Sequence, residues 1–416
     1  MIMAIKIGLY GVFRGSQLVG AIRDSGAQIV AVCDRRKQAI QYSKESHPEM
    51  KDAVEYTDFE EFIKHDMDAV LLANFFHEHA KCAIRAMEEG KHVLSECLSN
   101  VTMADGVALC RAVERTGKIY ALLENYPFIK ENLEMERLYK EGTLGKIVYA
   151  EGEYIHAMSS GEHNFYARGP RHWRNWTPRS YYLSHALAPI MKMTDALPTK
   201  VTAMAAFAPE TVKNTAMQSG DAACIVMCQT DKDAVFRVIG WGNYAPHGSY
   251  YKLCCTKGGA EINHGNGKMR LCYNSWTRPE GVEQDTTEYD VQWPDQELGE
   301  IAKKHGHGGG DFLVVHDFIK CLEEGREPYW NVYRSTAIAS VAILAWRSVL
   351  NNNMAYDVPD FRKEEDKLRY EQDSITPFPD EDYRVTIPCS SKPYAPSEED
   401  LAAAEEMWKS YDMLVR

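Results

Sequence analysis

Near its N-terminus the chain runs through a short apolar stretch, a glycine-rich turn, a helix-like segment and a second apolar stretch that ends on an acid. No other feature restricts its fold as much. Residues 5–9 read as a strand that enters Gly8-Leu9-Tyr10-Gly11-Val12-Phe13-Arg14-Gly15-Ser16. Leu18, Val19 and Ile22 then recur at helical spacing, and Gln28-Ile29-Val30-Ala31-Val32-Cys33 forms a second strand closed by Asp34. In that order these pieces make a dinucleotide-binding unit. The glycines let the backbone approach a pyrophosphate at a helix N-terminus, and an acid about twenty residues further on takes the ribose hydroxyls. Phe13 stands where the G-x-G-x-x-G pattern calls for its second glycine, so the turn is altered or one residue short. Asp34 repels a 2′-phosphate and points to NAD over NADP, with Arg35 and Arg36 as partial counterweights.

The alternation continues. Apolar runs at 68–73, 91–95 and 119–123 read as strands, with helices through Met87 and over about 102–116 between them. Each strand ends on polar residues: Asn74 to His79, then Glu96-Cys97-Leu98, then Glu124-Asn125. Ligands bind at such strand ends in open parallel sheets. After residue 126 the pattern changes. A helix near 131–141 leads into a strand over 147–155 that carries Tyr154, with His156 just beyond. Runs at 200–207, 222–229, 234–241 and 250–256 alternate with period two, which predicts a largely antiparallel sheet. His305-Gly306-His307-Gly308-Gly309-Gly310-Asp311 precedes a helix to about Glu324, and a second helix spans 333–350. The expected organisation is a nucleotide-binding domain over 1–125, a substrate and oligomerisation domain over 126–350, and a Pro/Asp/Glu-rich arm over 351–416 with a final helix near 397–411.

The stretch that concentrates chemistry is Tyr181-Tyr182-Leu183-Ser184-His185-Ala186-Leu187-Ala188-Pro189-Ile190. Tyr182 and His185 are three residues apart, so a helical turn directs both the same way. A phenol and an imidazole placed together can pass protons to one bound molecule. The net charge of −13 and a pI near 5.6 argue against nucleic acid or an anionic membrane as partner. No apolar run approaches a membrane span, and the N-terminus has no basic region followed by a long apolar core. Eleven scattered cysteines fit free thiols in a reducing compartment, so a cytoplasmic location is expected. No metal site is expected. Cys224 and Cys228 lack a second pair, and His305, His307 and His316 lack the carboxylate–histidine spacing of zinc enzymes.

Over roughly residues 4–361 the chain resembles the glucose–fructose oxidoreductase/inositol dehydrogenase/MocA (GFO/IDH/MocA) family. The resemblance rests on Gly11-Val12-Phe13-Arg14-Gly15, Asp34, Asp68-Ala69-Val70, His77-Glu78-His79, Gly90-Lys91-His92-Val93, Glu96, Leu144-Gly145-Lys146-Ile147-Val148 and Asp357-Val358-Pro359-Asp360-Phe361. It implies an α/β protein: a Rossmann domain, then an α/β domain whose largely antiparallel open sheet often mediates oligomerisation. Where ordinary dehydrogenases of the family carry E-K-P, with a proton-transferring lysine, this chain has Glu96-Cys97-Leu98. Cys97 is no cationic donor. One branch lacking that lysine is the NAD-dependent glycosidases typified by bacterial α-N-acetylgalactosaminidases. The chain is similar to it at Leu123-Glu124-Asn125, Gly152-Glu153-Tyr154-Ile155-His156, Trp173-Arg174, Tyr182-Leu183-Ser184-His185 and His307-Gly308-Gly309-Gly310-Asp311. The branch pattern Y-P-T-H-G-L-G-P reads Y-L-S-H-A-L-A-P here, which alters the pocket and hence the sugar.

Carried over by position, the resemblance assigns NAD to Gly11, Arg14, Gly15, Asp34, Phe76, His79, Glu96, Cys97 and Asn125, with Tyr182 beside the nicotinamide. His185, Tyr182 and Tyr154 become the acid–base groups. Glu124, Tyr154, Arg174, His307 and Asp311 become sugar-binding residues. The implied reaction is redox-neutral glycoside cleavage through a 3-keto sugar, with a small carbohydrate or glycoside as substrate and a homo-oligomer as assembly. Two alternatives stand beside it: a sugar or cyclitol dehydrogenase that uses His185 in place of the lysine, and a nucleotide-binding regulatory protein without turnover.

Overall fold

A computed structural model describes residues 4–414. Residues 1–3 of the expected nucleotide-binding domain, and residues 415–416 of the expected arm, lie outside the described residues. The chain divides into two compact units, neither continuous in sequence. The first takes the residues up to 130 with 292–339 and 360–374, and the second takes 131–291, 340–359 and 375 onward. Residues 351–416 are therefore shared between the units, and the chain passes from one to the other within the helix Val332–Leu350.

The first unit is built on six parallel strands: β1 (Lys6–Tyr10), β2 (Gln28–Cys33), β3 (Val54–Tyr56), β4 (Ala69–Leu72), β5 (His92–Ser95) and β6 (Tyr120–Leu122). They lie in the order β3-β2-β1-β4-β5-β6. This is the doubly wound dinucleotide-binding arrangement, with its switch point between β1 and β4. All four residues of β4 are buried, as expected when helices cover both faces of a parallel sheet. Helix ends follow local chemistry. The Thr102 side chain accepts from the Asp105 N–H at the start of Met103–Thr116, and Gly117, at φ 64°, closes that helix. The helix Lys37–Ser46 and edge strand β3 were not expected; β3 reads Val-Glu-Tyr with no buried position, so it carries no apolar pattern to find.

The second unit holds nine strands: β7 (Ile147–Ile155), β8 (Pro198–Phe207), β9 (Asp221–Thr230), β10 (Val235–Gly242), β11 (Gly248–Cys255), β12 (Gly258–Ile262), β13 (Met269–Tyr273), β14 (Thr286–Tyr289) and β15 (Tyr356–Asp357). Their order is β14-β13-β12-β11-β7-β10-β9-β8-β15. Every pairing is antiparallel except β7 with β10. Two glycines on that parallel pair place the chemistry-bearing helix Ser184–Thr194. A Cβ on Gly152 would lie 1.9 Å from the Ala186 carbonyl oxygen, and one on Gly240 would lie 2.6 Å from Leu183 Cα. Only glycine lets this helix rest backbone to backbone on the sheet. No helix among the described residues is long and apolar enough to cross a membrane.

Candidate functional site

In the first unit the glycine turn follows β1. Gly11 sits at φ 91°, and a Cβ there would come within 2.4 Å of the Ala73 carbonyl at the end of β4. Gly15 packs on Leu9, whose Cδ1 would lie 2.4 Å from an added Cβ. Gly15 thus does the helix-on-strand packing usually given to the third glycine of the fingerprint, one position early. Phe13, in the second glycine's place, turns its side chain outward at 45% exposure. Asp34 accepts the Val12 N–H at 3.1 Å on one carboxylate oxygen and the Arg36 N–H at 3.0 Å on the other. Each oxygen keeps a further lone pair for ribose hydroxyls. The turn starts its helix with no side-chain cap. A close glycine approach, a turn whose own residues supply no side-chain cap and an acid at the end of β2 together fit a dinucleotide.

Beside this cradle lies a network of charges. Arg14 Nε donates to Glu96 at 2.7 Å, while its two Nη atoms donate to Asp311 at 2.7 and 3.2 Å. Asp311 also accepts from Asn125 Nδ2 at 2.8 Å and pairs with His307 Nδ1 at 2.9 Å. Asp311 is 2% exposed. Burial pushes its carboxyl pKa up, but the bonds from His307 and Arg14 outweigh that and hold it well below the usual range. The bend before the helix Gly310–Glu324 makes the cluster possible: Gly308 and Gly309 both have positive φ, and a Cβ on Gly310 would meet the Asn125 carbonyl oxygen at 2.4 Å. Cys97, in the place of the family's lysine, donates its thiol to the fully buried Glu124 at 3.0 Å. Phe76 and His79 are both buried, and the His79 ring spans the carbonyls of Leu98 (2.9 Å) and Asn74 (3.3 Å). Of the histidines in the 305–316 segment, His305 reaches Asp24 at 3.0 Å and His307 pairs with Asp311, while the Phe312 ring lies against both His305 and His316.

In the second unit the chemistry is carried by rings. The Tyr182 and His185 ring centroids lie 5.4 Å apart, Tyr154 and His185 4.8 Å, and Tyr154 and Tyr182 5.9 Å. Tyr154 comes from β7, Tyr182 from the short 3-10 turn Arg179–Tyr182, and His185 from the first turn of Ser184–Thr194. Pro189 lies inside that helix and has no N–H to return to the His185 carbonyl. The Tyr251 hydroxyl donates to that carbonyl instead, at 2.6 Å. His156 stacks on Tyr154 at 5.5 Å, and burial followed by the neighbouring His247 lowers its pKa.

Arg174 Cζ lies 4.4 Å from the Trp173 ring and 5.5 Å from Tyr182. Tyr182 is therefore flanked by Trp173, Arg174 and Trp241, the last with its centroid 5.6 Å away. Arg179 supports this arrangement from beneath and was not foreseen. It is buried, stacks on Trp241 at 4.3 Å and donates Nε to the Asp221 carbonyl at 2.6 Å. Burial pulls its pKa down to about 10. Neither Arg179 nor Tyr251 stands in a recognisable motif; the only hint was proline inside an apolar helix.

Comparison with known proteins matches two stretches of the chain to family models. Residues 5–123 match the oxidoreductase family with an NAD-binding Rossmann fold, GFO/IDH/MocA. Residues 254–367 match the glycosyl hydrolase 109 C-terminal domain. The chain is 25% identical over 406 residues to glycosyl hydrolase family 109 protein 1 of Bacteroides fragilis strain YCH46, covering 86% of this chain and 85% of that protein. It is 27% identical over 407 residues to glycosyl hydrolase family 109 protein 4 of Phocaeicola vulgatus, covering 87% and 78%. Among solved structures, levoglucosan dehydrogenase in complex with NADH and levoglucosan superposes with a TM-score of 0.69 at 17% identity, covering 86% of this chain and all of that one. An Agrobacterium radiobacter oxidoreductase in complex with NAD+, L-tartaric acid and magnesium gives 0.69 at 14%, covering 86% and 99%. At such identities the structural likeness is one of fold.

Proposed function

For a chain that joins a GFO/IDH/MocA NAD-binding Rossmann domain to a glycosyl hydrolase 109 C-terminal domain, and is thereby an NAD-dependent carbohydrate-active enzyme, we propose glycoside cleavage without net oxidation, through a 3-keto sugar. The observation that supports this is the Tyr154–Tyr182–His185 cluster, three proton-transfer groups with mutual ring distances under 6 Å. It occurs in a chain whose lysine position holds a cysteine with its sulfur 3.0 Å from Glu124.

Gly11, Gly15 and Asp34 hold the dinucleotide, with Arg14, Glu96 and Asn125 fixing the loops around it. When bound, NAD supplies a reversible two-electron acceptor for C3 of the sugar. The chain's own groups do the rest. With a carbonyl at C3, the C2 proton is acidic enough for a phenolate or imidazole to remove. The C2–H electron pair forms the C1–C2 double bond, and the C1–O bond breaks towards the leaving oxygen. A second member of the cluster protonates that oxygen. Water then adds at C1 while C2 recovers a proton, and the C3 carbonyl would be reduced back to the alcohol by the two electrons the bound cofactor would hold. In the second unit Arg174, 5.5 Å from the Tyr182 ring, orients the sugar's hydroxyls. The eleven cysteines are all free and seven are buried, which suits a reducing, cytoplasmic compartment.

The test follows the C2–H bond. In heavy water, an aryl glycoside should release a sugar carrying deuterium at C2, with no accumulation of NADH. His185→Ala should lower both release and labelling by about a hundredfold or more. Stoichiometric NADH with the glycoside intact would establish a dehydrogenase instead. Hydrolysis without label would mean direct displacement.

A further inference from the structure

The residue after the ribose-binding acid is a cation, which in a nucleotide-binding fold of this kind would ordinarily invite NADP. Here that cation is already engaged. Arg35 follows Asp34 at the end of β2, and its Nη2 donates to Glu78 Oε1 at 2.5 Å. Its guanidinium carbon lies 5.4 Å from the Phe75 ring. Glu78 ends the short turn Phe76–Glu78 after β4, and Asn74 Nδ2 holds its other carboxylate oxygen at 3.2 Å. The Glu78 side chain is 21% exposed and that of Arg35 58%, so the anchored partner is the carboxylate. A guanidinium paired with a carboxylate has its charge offset and one N–H donor taken, so it offers a 2′-phosphate less attraction than a free arginine would. Asp34, Arg35 and Glu78 together carry one net negative charge, where a 2′-phosphate would bring nearly two more.

We propose that Glu78 sets the preference for NAD over NADP by withholding Arg35 from the adenosine 2′-position. Glu78 is a positioning residue that acts through Arg35, not a contact for the cofactor. Arg36 is a separate case: its backbone N–H caps Asp34, and its side chain is exposed. Phosphate recognition gained on losing Glu78 should therefore run through Arg35 and not Arg36.

The proposal rests on dinucleotide binding at the glycine turn and not on the glycoside chemistry. Dissociation constants for NAD+ and NADP+ should be measured by titration of the stripped full-length protein. In Glu78→Gln the NADP+ constant should fall about tenfold, the scale of one charge-assisted contact, while the NAD+ constant moves less than about twofold. Combining Glu78→Gln with Arg35→Ala should abolish the gain, and combining it with Arg36→Ala should keep it. Equal shifts for both dinucleotides, no shift for either, or a gain that survives loss of Arg35 would overturn the assignment. Wild type that binds NADP+ as tightly as NAD+ would also overturn it. Wild type that binds neither would sink the nucleotide reading itself, a result distinct from these.

Discussion

The two units hold their reactive groups in place by opposite means. In the first, charge fixes charge. Arg14 joins Glu96 to Asp311, and Asp311 in turn holds Asn125 and His307, residues drawn from four separate stretches of sequence. In the second, Tyr154, Tyr182 and His185 are held by ring contacts and by backbone packing that two glycines allow. A network of ions is rigid, but it fails as a whole when one member is lost, because every neighbour was desolvated to meet it. A ring cluster held by its backbone tolerates changes at its edge and uses no charge pairing to hold its members in place. The first device suits a cradle that must not move, and the second suits the proton transfers proposed for the cluster.

That contrast breaks first at Asp311. Asp311→Asn removes the negative charge and one of the two acceptor oxygens that face a guanidinium with little exposure, so unfolding in denaturant should show a loss of about 3–5 kcal/mol. A loss under about 1 kcal/mol would mean the network is only surface decoration. The same carboxylate gives a pH signature. Its folded pKa lies below the unfolded value near 3.9, so its contribution is complete above that value and fades as pH falls towards the folded one. Wild type should therefore lose stability below about pH 4 more steeply than Asp311→Asn does.

The same contrast explains what could be read from the sequence. The nucleotide-binding unit was legible because its residues lie within one short βαβ stretch: Gly11, Gly15 and Asp34 are fixed by local turn geometry. The Tyr182–His185 pair was legible because three-residue spacing on a helical turn is local too. The Arg14–Asp311 pair joins residues 297 positions apart, and nothing in either segment names the other. The resemblance assigns Arg14 to the cofactor and Asp311 to the sugar, and says nothing of the bonds between them. Arg179 stacking on Trp241, and the commitment of Arg35 to Glu78, were hidden for the same reason. The mostly antiparallel sheet followed from period-two alternation, but its one parallel pairing, β7 with β10, did not. Alternation reports which face a residue takes, not which way the neighbouring strand runs.

In the ring cluster the expected effect is smaller and more selective. Tyr251→Phe leaves the His185 carbonyl without the donor that replaces the one Pro189 lacks. An unsatisfied buried acceptor costs about 1–3 kcal/mol, which should appear as a lower melting temperature. Turnover should fall further than that loss of stability explains, because His185 then shifts against Tyr154 and Tyr182. NAD affinity should not change. If NAD binding weakened in step with turnover, the division between a cradle and a proton-handling cluster would be wrong.

The smallest effect is expected where the sequence looked most damaged. Phe13 occupies the fingerprint's second glycine position, and restoring it with Phe13→Gly would be a natural repair if the side chain blocked the pyrophosphate. The structure argues otherwise. The side chain points outward at 45% exposure, Gly11 already provides the close approach, and Gly15 already provides the helix packing. The substitution also adds glycine to the first helical turn, at a cost of about 0.5–1 kcal/mol in backbone freedom. Phe13→Gly should thus lower stability slightly and change the NAD dissociation constant by no more than about threefold, the range of a surface substitution. Tightening by tenfold or more in a direct titration would show that Phe13 obstructs the cofactor. The turn would then be a degraded version of the fingerprint, and not, as Gly15 indicates, a working variant one residue shorter.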